Sequence, residues 1–294
     1  MSGKIDIRDY DDAGVKGARR YAEQVYVLGH TPNEIDRLIS QAKIIGPITE
    51  RLLRSAGVAP GMRVLDVGCG AGDVSMIAAQ LVGPSGSIVG IDRSSDVLAI
   101  ATKRARESGL DRVSFVEDTV EKFFSAEPFD CVIGRYVLIH QADPEGFLRA
   151  AARLVRPGGI IAFHELSFAA SRKSHPVVWS WEMTVELVLS AFRDAVVHWQ
   201  VGEHLLNEFQ NADLPVPNLF CEVPVGGGEN SPFYPWVTET LRSMQPQLVN
   251  IGLLSDQALP IDALEERLRT DVVAAQSQIL GPAQICAWAR LPSC

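Results

Sequence analysis

The chain has 294 residues, 47% of them hydrophobic and 21% charged, with a formal net charge of −9 at pH 7. That is apolar content for a full core and length for one large domain or two small ones, while the acidic balance opposes a nucleic-acid partner, whose phosphates favour a basic face. No run of 18 apolar residues predicts a membrane span. The polar start Met1-Ser2-Gly3-Lys4 and five scattered cysteines without a C-x-x-C pair lead us to expect a cytoplasmic protein with neither disulfide framework nor zinc site.

Residues 1–30 show no clear period and read as a partly ordered arm. Thr31-Pro32-Asn33-Glu34 has the pattern of a helix start, after which Ile35, Leu38, Ile39, Ala42 and Ile45 share one face. A second helix is expected over 48–56, stopped by Gly57. Strands over 63–67, 87–91, 113–116, 130–134 and 160–165 then alternate with helices over 73–81, 96–108 and 144–155. This alternation predicts parallel βα units with helices on both faces of a sheet. Ligands in such folds sit outside the carboxyl ends of the strands. After Glu165 the texture changes. Residues 176–212 look helical and apolar, 219–225 resemble a strand, 236–248 and 261–276 read as helices, and 284–291 as an apolar final strand. The expected organisation is an N-terminal arm and lid helix (1–42), a ligand-binding core (43–170), a helical cap insertion (171–215), and the end of the sheet with a second helical insertion (216–294).

The core's first strand ends in Asp66 and runs into a turn with glycine at 68, 70 and 72. Glycine permits positive φ and close approach of a ligand to the backbone. A dinucleotide would require G-x-G-x-x-G, whereas the spacing here is G-x-G-x-G, and a carboxylate at 66 would repel a pyrophosphate. A ligand with a positive amino group and no phosphate suits the turn better, and S-adenosylmethionine has an amino group, a sulfonium and a ribose. Asp92 lies at a strand end 20 positions past Gly72, where an acid can bond ribose hydroxyls, and Asp118 ends the next strand.

At this point the chain resembles the class I S-adenosylmethionine-dependent methyltransferases, closest to the ubiquinone/menaquinone-methyltransferase-like group that acts on small molecules. VLDVGCGAGD (64–73), IVGIDRSS (88–95), VSFVEDTVEKF (113–123), FDCVIGRYVLIHQADP (129–144) and LVRPGGIIAFHEL (154–166) match its successive motifs in order and spacing. The resemblance implies a Rossmann-like, doubly wound, seven-stranded, mainly parallel sheet with an antiparallel last strand and helical lid insertions. It implies cofactor contacts at Asp66, Gly68, Gly70, Gly72, Asp92 and Asp118, with Arg93, Thr119 and Arg135 beside them. Tyr26 and Gln41 follow from relatives in which the helix before the first strand closes over the methionine part of the cofactor.

Methyl transfer from a sulfonium needs alignment and exclusion of water, and a base where the acceptor is a hydroxyl or acidic C–H. His140, after the fourth strand, is the first candidate base. His164 and Glu165 end the fifth strand, and one of them is expected to face the cleft, since strand neighbours point opposite ways; Glu165 is the second candidate. His175, His198 and His204 read as structural, and Cys69 as a small residue filling the turn. A metal is not expected: Arg135-Tyr136 and His164-Glu165 stand where metal-dependent relatives carry hard oxygen ligands. Gly134-Arg135-Tyr136-Val137 also lacks the Asn/Asp-Pro-Pro-Tyr pattern of DNA amino-methylating enzymes. Trp179, Trp181, Phe192, Trp199, Phe233, Tyr234 and Trp236 cluster in the cap segments and suggest an apolar pocket. Tyr136, Trp181, Tyr234 and Trp236 are the candidate substrate contacts. The expected reaction moves a methyl group to O, C or N of a small hydrophobic or aromatic product of secondary metabolism. An oligomer is possible. The alternative is an S-adenosylmethionine-binding protein without methyl transfer, a regulator or a cyclisation catalyst.

Overall fold

The computed structural model describes residues 32–169, 174–196, 198–254 and 260–293, with the side chains of 32–40 outside that description. The expected arm over 1–30 lies outside the described residues. Helix α1 (Pro32–Ala56) is one continuous helix with Pro47 inside it, in place of the two helices expected. An interior proline forfeits a hydrogen bond and costs about 3 kcal/mol. Ile45, Ile48, Leu52 and Leu53 are all buried, and each such side chain gains about 1.5–3 kcal/mol from burial. A single apolar stripe therefore outweighs the local break.

The core then alternates as read: β1 (Arg63–Val67), α2 (Asp73–Val82), β2 (Ser87–Asp92), α3 (Ser95–Glu107), β3 (Val113–Glu117), β4 (Phe129–Arg135), α4 (Pro144–Ala152) and β5 (Val155–Ser167). β5 begins five residues before its expected start. Its register against β4 shifts between Phe129 and Cys131, opposite Pro157-Gly158-Gly159, where Gly158 has φ +71°. The bulge, not a loop, accommodates the glycines.

Beyond the core come β6 (Ser174–His175), α5 (Trp179–Ala195), α6 (Leu205–Asn211), β7 (Asn218–Glu222), β8 (Val225–Gly226), α7 (Phe233–Asn250), α8 (Ile261–Ala274), β9 (Gln278–Leu280) and β10 (Ala283–Arg290). The main sheet has seven strands in the order β3-β2-β1-β4-β5-β10-β7. β1 to β5 pair in parallel, and β10 runs antiparallel to both its neighbours. A second sheet, β6-β9-β8, was not foreseen because its outer strands have two residues each.

Alternation along the strands sorts the core into two layers. Val64, Ile133, Ile160 and Ala162 pack with Leu52, Leu53 and Ala78 on one face. Leu65, Val67, Val132, Ile161 and Phe163 pack with Leu148 and the later helices on the other. Helices α5, α7 and α8 associate with one another, and α7 also packs on α1. They thus form a cap over the carboxyl ends of the parallel strands.

Candidate active site

The turn after β1 is built by backbone bonds. Cys69 N–H donates to Ile91 O at 3.0 Å, and Gly72 N–H donates to Cys69 O at 2.9 Å. Gly70 N–H donates to Asp92 Oδ2 at 2.9 Å. Gly68 has φ +66°, and a Cβ there would lie 2.8 Å from Val137 Cγ2. Gly70 has φ +51° and nothing within 4 Å of its Cβ position, so its backbone fronts open space. Gly72 differs from the expectation. A Cβ there would meet Phe115 at 3.0 Å and Ala101 at 3.2 Å, so this glycine serves the close packing of α3 and β3 and is not part of the cavity wall.

That wall encloses a cavity of about 390 Å³ at the carboxyl ends of β1, β2 and β4, within the range of small-molecule sites. Gly68, Gly70, Asp92, Arg93, Asp118, Thr119 and Arg135 line one end, together with Gln41 of α1. Asp92 is half-buried, and its other oxygen accepts from Ser94 N–H at 3.1 Å. Ser94, not Asp92, caps α3. Asp118 Oδ1 accepts from Thr119 N–H at 2.8 Å, and its own N–H donates to Asp92 O at 3.0 Å. Tyr26 lies outside the described residues.

Asp66 is buried behind this wall. Oδ2 accepts from the Ser75 hydroxyl at 2.6 Å, while Oδ1 has no partner. Burial pushes its carboxyl up to about 7, against the Ser75 bond and the Arg135 charge. The Arg135 side chain is 6% exposed and reaches Asp73 at 3.9 Å and Thr49 Oγ1 at 3.2 Å. Asp73 is held more closely by Arg104, at 2.7 Å.

Tyr136, in the wall, has φ +56°. Its ring stands edge-on to His164 with centroids 5.6 Å apart. Val137 and Leu138 N–H both donate to Glu165 Oε1, at 3.0 and 2.8 Å. A single 3-10 turn ends at His140, which is half-buried and lines the cavity.

The expectation that His164 or Glu165 faces the cleft is not met. They do point to opposite sides of β5, but both sides are covered at that register. His164 bonds Thr49 and Gln284, while Glu165 supports the 136–140 loop. Of β5 only Leu166 is in the wall, and Phe168, just past the strand, follows it. Thr49 and Gln284 were not singled out in the sequence. Their signal was a lone polar residue on an apolar helix face and in an apolar strand.

The other end of the cavity lies under the cap. Trp181, Val188, Phe192, Phe233 and Trp236 line it, with Phe147, Leu166 and Phe168 below. No charged side chain lines this end among the described residues. Tyr234 departs from its expected role: it is fully buried, its hydroxyl donates to Gly228 O at 2.9 Å, and it is not in the wall. Trp179 is 76% exposed, and Trp199 lies against Arg193 outside the wall. Among the described residues no group of three His, Cys, Asp or Glu side chains is placed to hold a metal ion. No described helix is long and apolar enough to cross a membrane.

Comparison with known proteins bears on this site. The family described as a methyltransferase domain matches residues 59–212. A ubiquinone biosynthesis O-methyltransferase of Klebsiella pneumoniae is 35% identical over 125 residues, covering 42% of this chain and 48% of that protein. One from Escherichia fergusonii is 37% identical over 125 residues, covering 42% and 49%. The matched region is about half the length of these curated relatives. Among solved structures, a putative methyltransferase from Bacillus halodurans is similar with a TM-score of 0.55 at 19% identity, over 83% of this chain and 98% of that one. The YcgJ protein from Bacillus subtilis gives 0.53 at 15% identity, over 83% and 97%. At these identities the solved structures show a shared fold.

Proposed function

The chain belongs to the methyltransferase-domain family, the class I S-adenosylmethionine-dependent methyltransferases, and we propose that its cavity aligns that cofactor with a small apolar acceptor seated under the cap. The residues present suit the group. The open backbone at Gly70 leaves room for close approach and Arg135 suits a carboxylate, while Asp66, expected to touch the cofactor, lies behind the wall and acts through Ser75 and the turn. Asp92 keeps lone pairs for ribose hydroxyls, and Asp118 faces the place of an adenine amine. Residues 43–170 hold the cofactor, 171–215 cover it, and 216–294 complete the sheet and the cap.

When bound, S-adenosylmethionine supplies a methyl group on a sulfonium, a leaving group that needs no acid. The protein's part is then to orient and to exclude water. The aromatic wall of the cap holds the acceptor's body and keeps the space dry. His140, in the cavity wall, takes the proton of an acceptor hydroxyl. Oxygen is our choice of acceptor atom because the curated relatives are O-methyltransferases. The acceptor is a phenol or similar aromatic metabolite rather than a nucleic acid. A single observation carries this reading: one cavity joins the glycine turn and Asp92 to an uncharged aromatic chamber.

Calorimetry with S-adenosylmethionine and S-adenosylhomocysteine tests the cofactor half. We expect micromolar binding to wild type and a loss of about tenfold or more in Asp92→Ala. Undiminished binding in that variant would remove Asp92 from the site. The acceptor half is tested by incubation with alkylated phenols, where S-adenosylhomocysteine must accumulate in step with methylated product.

A further inference from the structure

A buried polar chain runs behind the cavity, through residues to which the reaction above gives no part. Thr49 on α1, His164 on β5 and Gln284 on β10 are each fully buried, and none of them is in the cavity wall. Gln284 Nε2 donates to Pro282 O at 2.8 Å, which turns its Oε1 towards two donors. That oxygen accepts from the Tyr136 hydroxyl at 2.5 Å and from His164 Nε2 at 2.9 Å. An amide oxygen can only accept, so His164 carries its proton on Nε2. Nδ1 is then an acceptor, 3.0 Å from Thr49 Oγ1. The other end gives the same direction. A guanidinium only donates, so Thr49 accepts from Arg135 Nη1 at 3.2 Å and donates its own hydroxyl hydrogen bond to His164. The competing Thr49 contact, to Ile45 O, is longer at 3.4 Å. Burial holds the imidazole down at about 3, which keeps it neutral.

We propose that Thr49, His164 and Gln284 are positioning residues that fix Arg135 in the cavity wall for the carboxylate of the cofactor's amino-acid arm. The inference rests on the cofactor placement proposed above. Each bond in the chain has one permitted direction, so Arg135 has a definite anchor that β10 and α1 supply jointly. The adenosine end of the ligand, at Asp92 and Asp118, is held by carboxylates whose bonds go to Gly70, Ser94 and Thr119 and not to this polar chain, and should not depend on it.

The test compares S-adenosylhomocysteine with adenosine, which lacks the amino-acid arm, by calorimetry. Thr49→Val keeps the shape and removes the acceptor of Arg135; Thr49→Ser keeps the hydroxyl. We expect Thr49→Val and Gln284→Met each to weaken S-adenosylhomocysteine about tenfold, with adenosine unchanged and Thr49→Ser close to wild type. Unchanged S-adenosylhomocysteine affinity in Thr49→Val, or an equal loss for adenosine, would overturn the proposal. Should the variants fail to fold, nitrogen-15 spectra of wild-type His164 still decide. The proton must be on Nε2, and an Nδ1–H tautomer refutes the chain. Wild type that binds neither ligand would instead remove the cofactor placement, whatever the tautomer.

Discussion

Glu165 carries a conflict at the scale of one side chain. It is fully buried, one of its oxygens accepts two backbone N–H bonds and the other has no partner. Burial wins over the two donors and pushes its carboxyl from 4.5 up to about 8. In the unfolded chain the same group ionises near its ordinary value. The stability it contributes is therefore complete below pH 4.5 and is lost as pH rises through about 8. Glu165→Gln keeps a carbonyl acceptor for Val137 and Leu138 and cannot titrate. We expect urea unfolding of wild type to weaken by about 3 kcal/mol relative to this variant between pH 5 and pH 8; parallel curves would show that Glu165 ionises normally. The sequence showed that His164 and Glu165 face opposite ways, although β5 runs on to Ser167, two residues past its expected end. It could not show that both faces are closed there, because Thr49 and Gln284, which close one of them, lie 115 and 120 residues away along the chain. Asp92 and the glycines at 68 and 70 were legible for the opposite reason: their constraints are local turn geometry and strand-end chemistry.

Helices show a similar division. α2, α3 and α4 were legible to within a few residues, since each sits between strands with its own start signal. α1 was misread at Pro47, where a local rule lost to a long apolar face. α7 begins at Phe233, three residues before its expected start, and so takes Pro235 into its first turn. There a proline gives up an N–H that has no intrahelical partner anyway. In the cap, Trp181 is 2% exposed and its ring centroid lies 6.4 Å from that of Phe233. It joins α5 to α7 while lining the cavity. Trp181→Ala should cost about 3–5 kcal/mol in denaturant unfolding and should weaken acceptor binding while leaving cofactor affinity near wild type. A loss of cofactor affinity as large as the loss for the acceptor would argue that the cap and the cofactor end are not separable.

Across the whole molecule, the seven-stranded, mainly parallel sheet with an antiparallel last strand came out as the motif series implied. What the sequence left open was the cap. Its packing is between helices far apart in the chain, and the aromatic cluster did not reveal that Tyr234, Trp179 and Trp199 point away from the cavity. The position of β10 has a temporal consequence. Residues 283–290 leave the ribosome after every other described strand, yet they belong in the sheet's interior, between β5 and β7. Until they emerge, β5 and β7 each present an unpaired edge, and α1 lacks a surface it packs on. Non-local closure of this kind is slow and exposes aggregation-prone edges. A chain stopped after residue 277 should be recovered as aggregate or as a chaperone-bound species, with no cooperative melting transition. A soluble, cooperatively folded product would show that the five parallel strands stand alone. On this account the nascent protein stays a client of the folding machinery until residues 283–290 have emerged, and its sheet closes in that one step.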